Sequence, residues 1–147
     1  MDPRSCGTVV VPIDYSESSL DAIATAREFV ASGKDLHVLY VLAPMEQLSP
    51  VGTWGPLDND PAWDALTRKR LADWLAQHGF SDVTQIVRIG DPGSEIADYA
   101  RELPADMIVI PSHGYHGVKR LLLGSVAERV LRLADCPVLV LRRTDAD

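Results

Sequence analysis

Met107-Ile108-Val109-Ile110-Pro111-Ser112-His113-Gly114, followed after nine residues by Gly124-Ser125-Val126, is the stretch on which the fold turns. Four apolar residues in unbroken succession describe a strand covered on both faces, as in a parallel sheet. The turn that follows carries a glycine, which tolerates close approach and positive φ. Gly124-Ser125 then opens a helical pattern, Ser125 to Ala134. A helix start presents unpaired N–H groups and a partial positive charge, so the segment points to an anion such as phosphate.

The same alternation repeats outward from this stretch. Apolar runs at Thr8–Ile13, Leu36–Val41, Asp82–Ile89, Met107–Ile110 and Val138–Leu141 read as five strands. Between them, Ser16–Ala31 is helical, with Ser16 as its cap and Leu20, Ile23, Ala24, Ala26 and Val30 on the apolar side. Asp60-Pro61 starts a second helix that buries Trp63, Leu66, Leu71, Trp74 and Leu75 and stops at Gly79. Asp91-Pro92 starts a third, which carries Ile96, Tyr99, Ala100 and Leu103. Right-handed crossovers make this an α/β fold, a doubly wound five-stranded parallel sheet in a three-layer α/β/α sandwich of Rossmann-like type. In such sheets ligands bind beyond the carboxyl ends of the strands, where the strand order reverses. Asp14-Tyr15, Leu42-Ala43, Gly90-Asp91 and Pro111–Gly114 occupy those ends.

Composition narrows the function. The length of 147 residues suits one domain, 1–147, with a tail at 142–147. A net charge of −7 disfavours a nucleic-acid surface, which rests on neutralising phosphates with Lys and Arg. No apolar run reaches the roughly 20 residues of a membrane span, and no signal peptide is visible, so the expected location is cytoplasmic. Cys6 and Cys136 read as two small buried or half-buried thiols rather than a disulfide or a zinc site. The segment 44–60, with Pro44, Pro50, Pro56, Gly52 and Gly55, is a long loop at the ligand edge. It is either a flap over a ligand or a surface insertion.

Over nearly its whole length the chain resembles the universal stress protein family. The resemblance rests on Val9-Val10-Val11-Pro12-Ile13-Asp14-Tyr15-Ser16, on Ser112-His113-Gly114-(nine residues)-Gly124-Ser125-Val126-Ala127-Glu128-Arg129-Val130, and on Cys136-Pro137-Val138-Leu139-Val140. ATP-binding members carry G-x2-G-x9-G-[S/T]; here Gly114, Gly124 and Ser125 match, and Pro111 replaces the first glycine. The resemblance implies the adenine nucleotide alpha hydrolase-like fold. It also implies an adenosine site at Pro12, Asp14, Val41 and Pro111, and a phosphate site at Ser112, His113, Gly114, Gly124, Ser125 and Val126.

Local chemistry offers three of these residues a plainer role. Asp14 can bond the turn after its strand, Val41 can be core, and Ser125-x-x-Glu128 spells a capping box. Pro111 has no N–H to offer a ribose. Loss of one neutral hydrogen bond costs about 0.5–1.5 kcal/mol, at most roughly tenfold in affinity. His113 and His116 lack a third metal ligand, and Lys119 and Arg120 are a basic patch within reach of phosphate or a solvated face.

The expected ligand is ATP, or ADP or AMP, with Mg²⁺ following the phosphates. The expected role is a ligand-dependent switch or regulator in stress response. No P-loop and no nucleophile beside a base are present, so a slow ATPase stands only as an alternative, beside a nucleotide-free dimeric interaction protein. The resemblance further implies a homodimer paired through strand 138–141, whose edge must be covered.

Overall fold

The computed structural model of the chain describes residues 6–44, 61–112 and 123–142. In chain order these form β1 (Val9–Ile13), α1 (Glu17–Arg27), a short 3₁₀ turn (Gly33–Asp35), β2 (Leu36–Leu42), α2 (Pro61–Gln77), β3 (Thr84–Ile89), α3 (Pro92–Glu102), β4 (Met107–Pro111), α4 (Ser125–Leu133) and β5 (Val138–Leu141). The strands make one sheet in the order β3-β2-β1-β4-β5, and every pairing is parallel. This is the expected α/β/α sandwich, with its reversal between β1 and β4.

Successive strand residues face opposite sides, and the core divides accordingly. Val9, Val11, Ile13, Val38 and Val109 pack with Ala22, Ile23 and Ala26 of α1 and Leu71 and Leu75 of α2. Val10, Leu39, Ile108 and Ile110 pack with Ile96, Tyr99 and Ala100 of α3 and Ala127 and Val130 of α4. The unbroken apolar runs are therefore explained, because each strand feeds both layers.

Two boundaries and one buried face differ from those the periodicity suggests by more than a residue. The first helix ends at Arg27 rather than Ala31, because Cys6 takes the next residues. Its N–H donates to Phe29 O at 2.6 Å, and it bridges Val30 in parallel. The third strand begins at Thr84, since Asp82 is drawn instead to the guanidinium of Arg27. On α2 the buried stripe is Thr67, Leu71 and Leu75, spaced by four, with Trp74 half-buried beside it. Leu66 lies about 100° round the helix from Thr67 and is 63% exposed, and Trp63, in the first turns, is 42% exposed. Helix α2 stops as expected: Gly79 has φ +81°, and Phe80 N–H donates to Leu75 O at 2.8 Å, closing a Schellman turn.

Helices α3 and α4 approach closely because position 93 is glycine. A Cβ there would lie 2.6–2.7 Å from Cδ, Cβ and Cγ of Arg129. Gly93→Ala is expected to push the two helices apart and cost about 1–3 kcal/mol, as overpacked contacts do. Urea unfolding with an unchanged slope is the measurement, and equal stability would show that the contact can relax.

Candidate functional site

The sheet splits where its order reverses. Strand β1 stays in register with β2 from Val9 to Ile13, and β4 with β5 from Ile108 to Pro111. Between β1 and β4 only Val9 with Met107 and Val10 with Ile108 are in register. The carboxyl halves of β1 and β4 therefore do not pair with each other, and the strand ends carrying Asp14 and Ser112 flank the gap.

On the β1 side the chain makes a tight polar turn. Asp14 Oδ1 accepts from Ser16 N–H at 3.0 Å and from the Ser19 hydroxyl at 2.8 Å, while Asp14 N–H donates to Ser19 Oγ at 3.0 Å. This Asx turn carries the chain over Tyr15, a non-glycine residue at φ +67°. It delivers Ser16 as the N-cap of α1, its hydroxyl accepting from Ser19 N–H at 3.3 Å. The cap is the one the sequence suggested.

The Tyr15 ring lies tilted against Tyr40 at 4.8 Å and edge-on to Trp74 at 5.2 Å, with the Arg70 guanidinium 4.4 Å from its centre. Its hydroxyl is buried and finds no hydrogen-bond partner among the described residues. Burial, and then the neighbouring Tyr40, push its pKa up to about 12 against the opposing pull of Arg70. Pro12 is buried and in register with Leu39 of β2. Val41 is half-buried against the α3/α4 core, in register with Arg88.

On the β4 side, half-buried Pro111 ends the strand opposite Leu141. Buried Ser112 then donates its N–H to Leu141 O at 2.9 Å and accepts Gly124 N–H at 2.6 Å. These bonds tie the start of α4 directly to the end of β4. The capping box does not form. Gly124 is the N-cap, extended at φ −63° and ψ 153° with no side-chain cap, and Ser125 is the first helical residue. Glu128 instead accepts from Arg132 at 2.6 Å. Ser125 and Val126 stay exposed at a helix start that no side chain among the described residues has capped. His113 and Gly114, with His116, Lys119, Arg120 and the segment 45–60, lie outside the described residues.

The starts of α3 and α4 flank an open groove of about 510 Å³, lined in part by Asp91, Gly93, Ser125, Val126 and Arg129. Asp91 caps α3 by accepting from Ser94 N–H at 3.0 Å, and that bond above all holds its carboxyl below the usual carboxylate range. Arg129 reaches it at 2.9 Å. Sequence inspection passed over Ser19 and Arg129. The spacing Asp14-x-Ser16-x-x-Ser19 was the available signal for the first; nothing local marks the second, whose partner lies 38 positions away. Among the described residues no three of His, Cys, Asp and Glu gather as a metal site, and Cys6 and Cys136 are free and half-buried.

Comparison with known proteins gives a consistent match. The Universal stress protein family profile matches residues 6–142. Universal stress protein MJ0531 of Methanocaldococcus jannaschii is 36% identical over 144 residues, spanning 92% of this chain and 81% of that protein. The solved structure of MJ0577, from the same organism, superposes with a TM-score of 0.72 at 26% identity, covering 95% of this chain and 99% of that one. A universal stress protein solved in complex with cAMP shares the fold, with a TM-score of 0.60 at 23% identity, 95% of this chain and 99% of that one.

The orphaned hydroxyl of Tyr15 gives a direct test of the β1 turn. Tyr15→Phe removes a buried donor without a described partner, so the melting midpoint at pH 7 should hold or rise. In the native protein the raised pKa means that stability is intact below pH 10 and falls as pH rises from about 10 towards about 12. The variant should lack that part of the alkaline loss. A lower midpoint at pH 7 would reveal a partner for the hydroxyl.

Proposed function

The chain belongs to the universal stress protein family, and from that premise we propose that it binds an adenine nucleotide in the split between β1 and β4. The ligand is ATP, with ADP and AMP as the shorter forms, and the bound state acts as a switch or stabilising signal in stress response. The observation that carries this is the split itself. Two strands of one sheet part at the topological reversal, with a carboxylate turn on one lip and a helix start capped by glycine on the other.

The residues suit the ligand. Asp14 offers a carboxylate held in one orientation, suited to ribose hydroxyls or an adenine amino group. Pro12, Val41 and Pro111 supply apolar surface beside it. Ser112, Gly124, Ser125 and Val126, with His113 and Gly114, make the phosphate half. The N–H groups of the first turn of α4 and its dipole favour negative charge there. That cAMP occurs in complex with a protein of this fold agrees with an adenine ligand. Mg²⁺ accompanies the phosphates.

The protein works as a homodimer joined through β5. Ile108 N–H donates to Pro137 O and Ser112 N–H to Leu141 O, so alternate residues of β5 turn their backbone groups to β4. By the same alternation Val138 and Val140 turn theirs to the open edge.

Millimolar Mg-ATP should raise the melting midpoint by about 9 °C if it stands near a hundredfold above Kd. Gly124→Val should erase that shift, and no shift in the native protein would refute nucleotide binding. Val140→Pro removes an edge donor while leaving the ladder to β4 intact. It should convert a dimer to a monomer in sedimentation; an unchanged mass would place the interface elsewhere.

A further inference from the structure

Ser19 is 1% exposed, and its hydroxyl is committed in every direction available to it. A hydroxyl has one donor and two acceptor positions. The donor goes to Asp14 Oδ1 at 2.8 Å, one acceptor takes Asp14 N–H at 3.0 Å, and Ser16 Oγ lies 3.3 Å away. Capping does not require this hydroxyl, because Ser16 already caps α1 through its own side chain. At the third helical position a polar side chain commonly reaches back to the N-cap N–H. Here Asp14 Oδ1 takes the Ser16 N–H, and Ser19 reaches two residues further, to Asp14 itself. The result is a closed ring of bonds that fixes both the backbone and the carboxylate of Asp14.

Backbone strain makes that ring necessary. Tyr15, beside Asp14, sits at φ +67°, a region that bulky side chains rarely adopt. The local chain does not favour the turn, so something outside the turn must hold it. Ser19, anchored in the buried face of α1 with Ala22 and Ile23, is rigidly placed to do so.

We propose that Ser19 is a positioning residue for nucleotide recognition: it holds the Asp14 carboxylate at the β1 lip of the split in the orientation that receives the adenosine. The proposal rests on the nucleotide function argued above. It touches only the adenosine half, since Ser19 is bonded to Asp14 and Ser16, on the opposite lip from Gly124 and Ser125. Ser19 therefore separates two contributions to affinity, orientation of the carboxylate and capture of the phosphates.

Calorimetric titration of the full chain with Mg-ATP and with inorganic tripolyphosphate tests this, on the native protein, Ser19→Ala, Ser19→Cys, Asp14→Ala and the double variant Asp14→Ala/Ser19→Ala, with melting midpoints as a check on folding. Ser19→Ala is expected to weaken ATP about five- to tenfold, the worth of one hydrogen bond between a misoriented Asp14 carboxylate and the adenosine, and to leave tripolyphosphate unchanged. Ser19→Cys, close in size and a weak donor, should recover part of the loss. In the Asp14→Ala background the Ser19→Ala change should add nothing. Equal ATP affinity in Ser19→Ala and the native protein would overturn the positioning role while nucleotide binding stood. Parallel losses for ATP and tripolyphosphate, or a full further loss in the Asp14→Ala background, would also overturn it, showing that Ser19 serves only the fold. A native protein that binds no ATP would end both proposals together.

Discussion

Coverage of the sheet on both faces is the constraint on which this molecule depends. Strands β1, β4 and β5 supply only apolar side chains to the two helical layers, so the polar groups nearest the reversal lie beyond the ends of these strands. The chain reverses direction across the sheet between β1 and β4, so the two ends nearest the reversal are not crossed by a connecting helix. Asp14, Ser112 and the start of α4 are concentrated there for that reason, and the ladder between β1 and β4 stops after two registered pairs.

The two lips of the split are built differently. The β1 lip is stiffened by side chains: Asp14, Ser16 and Ser19 satisfy one another, and the ring cluster of Tyr15, Tyr40 and Trp74 backs them from the α1/α2 layer. The β4 lip is tied by main chain: Ser112 bonds Leu141 on one side and Gly124 on the other. A carboxylate needs a fixed orientation to discriminate hydroxyl and amino groups. A helix start needs only its N–H groups left open to attract an anion. Gly124 as the cap brings no side-chain oxygen of its own to them.

The rest of the structure keeps these lips in place. Arg129 crosses from α4 to Asp91 at the cap of α3, and Gly93 lets the two helices close on each other. Arg101 joins the other ends of the same helices, donating to Asp135 and to Leu133 O. Such exposed ion pairs contribute little each to stability. Their importance lies in fixing how α4, and therefore its start, sits against the sheet.

The sequence by itself determined the class of fold, because an unbroken apolar run and a helical period are local patterns that burial imposes residue by residue. It also determined the Ser16 and Asp91 caps and the Gly79 stop, whose chemistry lies within a few residues. Tertiary structure alone decided what depends on distant partners. Arg27 is the last residue of α1, and the chain leaves the helix there because Cys6 claims Phe29 and Val30. Leu66 is exposed because Thr67 follows the stripe of Leu71 and Leu75. Ser125 is not a cap because Ser112 O draws Gly124 into that place. The grip of Ser19 on Asp14 and the parting of β1 from β4 belong to the same group. Each is a competition between groups far apart in the chain, or between two local options of similar energy, and only the packed molecule holds both sides of that competition.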